Sequence, residues 1–482
     1  MALVVGVDLG TQSCKAVVCG DDLAVRGAHQ VAHPPGDGEQ DPAEWERAVG
    51  AAIAGALGAA AAKPADVAAL AIAGQLDGCV AVDAAGVALH RALIWQDRRA
   101  VAETALADPA RVHAITGQVA DPSHLAPKLA WLRARVAAAR YHVPVSYLVE
   151  RLTGSAALDP AHASTTMLYD LAIGAWSREL CDAFAIDPTR ELPALHPTCS
   201  IAGTLHARGA ALAGLPVGTP VAVGTGDDFA SPLGAGIASP GPVVCTLGTA
   251  EVVGAIASAP IFDRPEARTH AATRWRDLAE PMVETHAFPT GAYFIEHPGW
   301  LSGGAIRWAT RLLGVADDAA LDRLAAGTSS DGVTFVPALA GAMTPTWRPE
   351  QRAALHGLAA RHRPDHIARA VLEGLAFACR DVVDRLAALG LPTLEVVALG
   401  GGSASATWLQ LRADILDRPH RVAARPDSSA VGAAMIAAVA IGGIADLHAA
   451  AALAPPAVRT FAPAAERSSL DEAYERYQDL VH

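Results

Sequence analysis

The sequence predicts an α/β protein built from two related domains with a cleft between them. Three observations carry that reading. Residues 4–18 run apolar, polar, apolar, with β-branched residues in both apolar runs, the pattern of a strand hairpin. Residues 243–253 repeat the plan and share its turn, Leu247-Gly248-Thr249 against Leu9-Gly10-Thr11. The buried-strand pattern at 395–399, followed by Gly400-Gly401-Gly402-Ser403, echoes 67–73 followed by Gly74. A repeat this long implies two facing domains, not a short-period solenoid. The length of 482 residues also exceeds one ordinary domain. The Gly-, Ala- and Pro-rich stretch 234–242 is the expected crossover, giving an N-terminal domain 1–238 and a C-terminal domain 239–482. A cleft of this kind closes by hinge rotation.

Hydrophobic residues make up 52% of the chain, enough for a large core. Lys and Arg number 37 against 50 Asp and Glu, a net charge of −13. That balance argues against nucleic acid or an anionic membrane as partner, while leaving room for a nucleotide held locally by amides and a metal. The seven cysteines are scattered and contain no Cys-x-x-Cys pair, which fits a reducing compartment better than a disulfide framework or a zinc site. The chain enters its first strand without a basic leader, and the most apolar run, 428–444, is short for a membrane span. A cytoplasmic protein is expected.

Along the chain, the first hairpin places Asp8 at the end of one strand and Lys15 at the start of the next, with Gly10, Thr11, Gln12 and Ser13 between. Glycine lets the backbone approach a ligand. One acid, one cation, hydroxyls and exposed amides suit a metal-bound polyphosphate; an ordinary hairpin with a polar tip is the competing reading. Asp41-Pro42-Ala43-Glu44 is a helix start, and the helix should run to about Ala62. A strand at 67–73 leads into Gly74-Gln75-Leu76-Asp77-Gly78, a strand-like run at 79–83 follows, and 84–86 form a turn. Gln75, Asp77, Trp95, Asp97 and Arg98 at strand ends have the composition of a pocket for a polyhydroxylated ligand: carboxylates and amides grip hydroxyls, and Trp covers a carbon face. A surface ion-pair cluster of Asp97, Arg98 and Arg99 is the alternative.

Residues 127–180 read as mainly helical with breaks at Gly154 and Pro160. A strand at 221–223 ends in Gly224-Thr225-Gly226-Asp227-Asp228, with a helix from Phe229. Acids at such a junction either meet a ligand at the mouth of a sheet or cap the helix. The Gly400-Gly401-Gly402 run lacks the Rossmann spacing, and no Walker motif accompanies either hairpin. Such a run admits a flat base or ribose, or serves tight strand–helix packing. Ser469-Leu470-Asp471-Glu472 is a capping box for a terminal helix.

These residues, in this order, resemble the FGGY carbohydrate kinases of the actin-like ATPase superfamily. Ala353-Ala354-Leu355-His356-Gly357-Leu358, then His366-Ile367 and Ala370-Val371-Leu372-Glu373, fit the family's C-terminal signature throughout. Pro127-Lys128-Leu129-Ala130-Trp131-Leu132 fits the centre of the N-terminal signature, while Leu125 and Arg135 depart from its ends. Among members the chain looks most like the xylulokinase group. Gly74-Gln75-Leu76-Asp77-Gly78 aligns with that group's Gly-Gln-Met-His-Gly sugar-binding segment, with Asp77 where His is usual. Glycerol kinases carry Arg-Glu at the places of Leu76 and Asp77.

The resemblance implies two ribonuclease-H-like domains and an ATP-dependent sugar kinase, with D-xylulose as the expected acceptor. Ribulose, erythritol or ribitol, a non-catalytic nucleotide or sugar sensor, and a chaperone-like ATPase are the alternatives. It implies Asp227 as catalytic base and Asp8 as the acid associated with Mg²⁺. Thr11, Gln12, Ser13 and Lys15 are implied for the first phosphate hairpin, with Gly248 and Thr249 for the second. Gly303, Gly401, Gly402 and Ser405 fall where relatives meet the nucleotide. Gln75, Leu76, Asp77, Trp95, Asp97, Arg98, Asp227 and Asp228 are implied for the sugar. The expected partners are ATP and a small sugar or polyol, with homodimerisation left open.

Overall fold

Each of two mixed sheets starts from a hairpin. The computed structural model describes residues 3–34, 36–264, 281–342, 344, 346–425 and 427–481. Strands Leu3–Leu9 and Ser13–Cys19 pair antiparallel, Val5 opposite Val18 and Asp8 opposite Lys15. Val25–Ala32 extends the sheet on one side, and Val67–Gly74 joins on the other, parallel to Leu3–Leu9 with Leu9 opposite Gly74. Pro220–Ala222 and Thr225–Gly226 both pair with Val67–Gly74, and Ile201–Thr204 closes the edge.

Alternation along the strand decides what covers each face. Val5, Val7 and Leu9 are fully buried in one core with Trp45, Val49 and Ile53 of helix Pro42–Ala59. On the other face Gly6 lies against helix Ser428–Ala440, where a Cβ would come within 2.0 Å of the Ala430 carbonyl oxygen. Asp41 caps helix Pro42–Ala59 by accepting from the Ala43 amide. The helix stops three residues before the expected Ala62, because Ala61 turns left-handed (φ +51°) and Lys63 precedes Pro64, which disfavours helical backbone.

Residues 127–180 differ from the mainly helical expectation. Helices Leu125–Arg133, Pro144–Thr153, Pro160–Ala163 and Arg178–Ala183 alternate with short strands Arg140–His142, Ala157–Leu158, Tyr169–Asp170 and Ala175–Trp176. Gly154 does end a helix, at φ +78°. Pro160, however, starts one, in the first-turn position where its missing N–H costs nothing, with Asp159 as cap.

The second sheet repeats the hairpin plan. Val243–Leu247 pairs antiparallel with Ala250–Ala257 and parallel with Val396–Leu399, beyond which lie His420–Val422 and Arg459–Phe461. The terminal helix is Ser468–Val481, so the Ser469 box lies inside its first turn; Glu466 accepts from the Ser468 amide instead.

The described residues fall into two compact units. One holds the chain up to Ser239 together with Thr285–Phe294 and Asp427–Pro455; the other holds the remainder. The return of 427–455 to the first unit follows from composition: every residue from Ser428 to Ala438 is buried, and helix Ser428–Ala440 supplies a face for strand Leu3–Leu9. Among the described residues no helix is long and apolar enough to cross a membrane, and no disulfide forms.

Candidate active site

The parallel register of the first sheet gathers the predicted residues at one edge. Leu9 lies opposite Gly74, and Gly74 opposite Gly226, so Asp8, Gln75 and Asp227 follow one another across three adjacent strand ends. Leu76 packs against Gly226, where a Cβ would sit 2.1 Å from a Leu76 methyl carbon. This puts the Leu76–Asp77 segment beside Asp227. Asp227 and Asp228 are both half-buried in the first turn of helix Asp227–Gly234, which therefore starts two residues before the expected Phe229. Gly226 is the cap residue, so neither acid has that role.

Asp8 is half-buried on the hairpin side of this edge. Its carboxylate accepts from Ser429 Oγ at 3.0 Å. Lys15, its partner in the ladder, makes an ion pair of 2.5 Å with Asp427. Burial pushes the Asp8 carboxyl up to about 6; the Ser429 hydroxyl and Lys15 work against that rise, and Asp427 adds to it. A half-buried carboxylate held high with a second carboxylate close by is a donor set that a hard divalent cation would relieve, so these residues fit Mg²⁺. Asp427 and Ser429 are not among the residues expected from sequence. The Asp427-Ser428-Ser429 triplet opens a helix whose apolar run signals burial alone.

The hairpin tip is pinned from outside. Thr11 Oγ1 accepts from Trp95 Nε1 at 2.8 Å, the Thr11 carbonyl accepts from Gln40 Nε2 at 2.6 Å, and Ser13 Oγ accepts from Gln30 Nε2 at 2.7 Å. Gln12 is exposed. The Trp95 bond joins a residue predicted for sugar to one predicted for phosphate.

Around Asp77 the polar groups are dense. Asp77 itself is left-handed, φ +57°, an unusual backbone for a residue with a side chain. Its carboxylate meets His124 Nδ1 at 3.2 Å, and its carbonyl accepts from Lys128 Nζ at 2.8 Å. Burial works to raise the Asp77 carboxyl, but His124, Lys128 and His286 together hold it below its ordinary value. Burial pushes Lys128 down to about 8. Gln75 is buried and donates from Nε2 to Gln40 Oε1 at 3.0 Å. Asp97 and Arg98 are committed elsewhere: Asp97 accepts from Arg99 Nε at 2.6 Å, and Arg98 pairs with Asp121 at 2.5 Å. Those contacts match the ion-pair alternative for that stretch, with Asp121 as an added partner.

In the second unit a cavity of about 560 Å³ is lined by all six residues predicted there for the nucleotide: Gly248, Thr249, Gly303, Gly401, Gly402 and Ser405. Gly303 and Gly402 are required by packing, whereas Gly401 has open space around it. A Cβ on Gly303 would fall 2.3 Å from the Gly248 carbonyl oxygen and one on Gly402 2.8 Å from the Leu247 Cβ, and Gly400, the first of its run, sits at φ +79°. Ser405 caps helix Ala406–Leu416 by accepting from the Trp408 amide, and its hydroxyl donates to Asp322. Arg307 donates to Thr249 Oγ1 at 3.0 Å. Arg307, Asp322 and Trp408 also line the cavity and were not singled out from sequence, since each sits in an ordinary amphipathic helix pattern.

Comparison with known proteins gives the family. Residues 3–234 match the N-terminal domain of the FGGY family of carbohydrate kinases, and residues 243–441 match its C-terminal domain. The chain is 32% identical to the xylulose kinase of Escherichia coli (strain K12), covering 91% of this chain and 90% of that protein. It is also 32% identical to the glycerol kinase of Trichlorobacter lovleyi, covering 98% and 96%. The crystal structure of xylulose kinase from Rhodospirillum rubrum superposes with a TM-score of 0.84 at 28% identity, covering 99% of this chain and 98% of that one. With both domains of the family present in order and relatives at this identity along nearly the whole length, the chain belongs to the FGGY family of carbohydrate kinases, phosphotransferases of the actin-like, ribonuclease-H-like fold.

Proposed function

We propose that the protein transfers the γ-phosphoryl group of ATP to a hydroxyl of a ketopentose, D-xylulose giving D-xylulose 5-phosphate. The observation that carries this is the placement of Asp227 at the strand edge shared by Asp8 and Gln75, with Leu76 packed beside it. An alkyl hydroxyl is too weak an acid to ionise at neutral pH. Asp227 orients it and takes its proton while the new phosphorus–oxygen bond forms and the bond to the β-phosphate oxygen breaks, releasing ADP. Asp8, with Asp427 beside it, would hold Mg²⁺, which when bound neutralises charge on the phosphate oxygens. Lys15, Thr11, Gln12 and Ser13 are assigned to phosphate, and Gly248, Thr249, Gly303, Gly401, Gly402 and Ser405 to the nucleotide. Gln75, Leu76, Asp77, Trp95 and Asp228 are assigned to the sugar, with Asp97 and Arg98 shaping its surroundings through their ion pairs.

Leu76-Asp77 in place of Arg-Glu favours a pentulose over glycerol. A second reading, another pentulose or a polyol such as ribulose, erythritol or ribitol, draws on Asp77 itself, since a carboxylate accepts from hydroxyls where an imidazole also donates. ADP release measured with xylulose, ribulose, erythritol, ribitol, glycerol and gluconate separates them. Xylulose should give the highest kcat/KM. A higher value for another compound replaces the acceptor, and ADP release indifferent to all six overturns the proposal.

A further inference from the structure

The cavity in the second unit is polarised along its length. At one end the start of helix Gly303–Leu312 is tied to the second hairpin, where the Gly304 amide donates to the Thr249 carbonyl at 3.0 Å. Arg307, one turn into that helix, lines the cavity there and donates to Thr249 Oγ1 at 3.0 Å. Two turns along the same helix, Thr310 Oγ1 donates to Asp318 Oδ1 at 2.9 Å. At 1.5 Å per residue, Thr310 stands about 10 Å along the axis from Gly303, close to the length of a nucleoside. Asp322 follows Asp318 by one turn on helix Asp318–Ala325, on the same face, and both acids line the cavity. Ile306, Leu321 and Leu372 supply apolar wall.

Charge decides which way a nucleotide lies in this space. Phosphates gain from the positive end of helix Gly303–Leu312 and from the Arg307 guanidinium, and are repelled by Asp318 and Asp322. The uncharged base therefore takes the carboxylate end. Asp318 is exposed, whereas Asp322 is half-buried and held in place: Ser405 Oγ donates to Asp322 Oδ1 and accepts from the Trp408 amide at 3.0 Å. Asp322 Oδ2 has no partner among the described residues. A carboxylate accepts and does not donate, so it suits a base edge that donates and opposes one that presents oxygen. Adenine carries an exocyclic amino group where guanine and hypoxanthine carry oxygen.

We propose that Asp322 accepts a hydrogen bond from the exocyclic amino group of adenine and so selects ATP over ITP and GTP as phosphoryl donor. This rests on the assignment of the cavity to the nucleotide. Two readouts are taken on the full chain with each nucleotide and Mg²⁺: the rise in Tm without sugar, and the nucleotide KM in nucleoside diphosphate release with D-xylulose. In wild type the KM for ITP and for GTP should exceed that for ATP at least about tenfold, because oxygen facing a carboxylate leaves both unpaired. Asp322→Asn puts a donor beside the acceptor. It should raise the KM for ATP, lower that for ITP and cut the ITP-to-ATP ratio at least about tenfold, with the KM for D-xylulose within about twofold. A general loss of structure would weaken both nucleotides together and give no gain with ITP. Equal KM values for ATP and ITP in wild type, or a ratio unchanged in the Asn variant, overturn the contact, while a Tm rise with ATP keeps the cavity assigned to the nucleotide. Preference for GTP over ATP in wild type also overturns it. If no nucleotide raises Tm, the contact and the assignment fall together. Should D-xylulose give no turnover, a Tm rise that passes from ATP in wild type to ITP in the Asn variant upholds the contact, and one that does not pass overturns it. If the Asn variant does not fold, Asp322→Ala takes its place, with an ITP-to-ATP ratio near one expected and a ratio equal to wild type overturning the contact.

Discussion

The neighbours of Asp227 help to fix its position. The preceding Thr225 is held by Asp159, and Gly226 leaves room for Leu76. Replacing Asp227 by Asn should lower kcat by about 10²–10⁴, the usual worth of a general base, with the KM for ATP little changed. Steady-state kinetics on the preferred sugar checks this. Asp159 gives a pH signature. Burial pushes its carboxyl up to about 6 from an ordinary 3.8, against hydrogen bonds from Thr225 and Thr198. The folded protein thus holds a proton that the unfolded chain gives up, and the associated stability is present below pH 3.8 and lost as pH rises through 6. Asp159→Asn removes that dependence. Its stability relative to wild type should grow by about 2–3 kcal/mol between pH 4 and 7, read from urea midpoints at each pH. The place of Asp227 at a strand end was legible in the sequence because two glycines and two acids end an apolar run. Asp427 and Asp159 were not, because an acid ahead of a helix looks the same whether it caps, pairs or binds.

At the scale of elements, the packing of helix Ser428–Ala440 is set by glycines. A Cβ on Gly432 would lie 2.0 Å from the Ala230 carbonyl oxygen, and one on Gly234 would lie 1.8 Å from the Ser428 carbonyl oxygen. Helix propensity alone would favour Gly→Ala by about 1 kcal/mol. Here backbone stands in the way, and overpacking of about 1–3 kcal/mol wins. Gly432→Ala should therefore lower Tm, whereas Gly58→Ala, in helix Pro42–Ala59 with nothing within 4 Å of the new methyl, should raise it. Thermal melts of both variants decide the sign. The second hairpin carries a buried ion pair, Glu251 with Arg412 at 2.5 Å, both wholly buried. Arg412→Ala strands that carboxylate and should cost about 3–5 kcal/mol in chemical denaturation. The hairpins and the strands 67–73 and 395–399 were readable because β-branched runs ending in glycine have few other solutions. The short strands within 127–180 were not: two- and three-residue strands are fixed by pairing with distant partners, such as Arg140–His142 with Val80–Val82, and leave no period in the local sequence.

At the scale of the whole molecule, the repeat of hairpin plus parallel strand in each unit explains why one half of the sequence could be read from the other. The repeat did not reveal that the first unit draws on three separate stretches of chain. Strand Leu3–Leu9 has one face covered by helix Pro42–Ala59 and leaves Gly6 for helix Ser428–Ala440. A fragment ending at Ser239 should therefore expose apolar surface and fail to unfold cooperatively. Joining residues 427–455 to it through a flexible linker should restore a sharp transition, followed by circular dichroism on heating.

The late position of helix Ser428–Ala440 bears on how the protein is born. A ribosome emits the strands of the first sheet early, yet the helix that seals them emerges only after Ala440 has been translated. Through that interval the nascent sheet waits half-covered, open to chaperones and to faulty association, and a stalled ribosome anywhere before residue 440 releases a product without its closing piece.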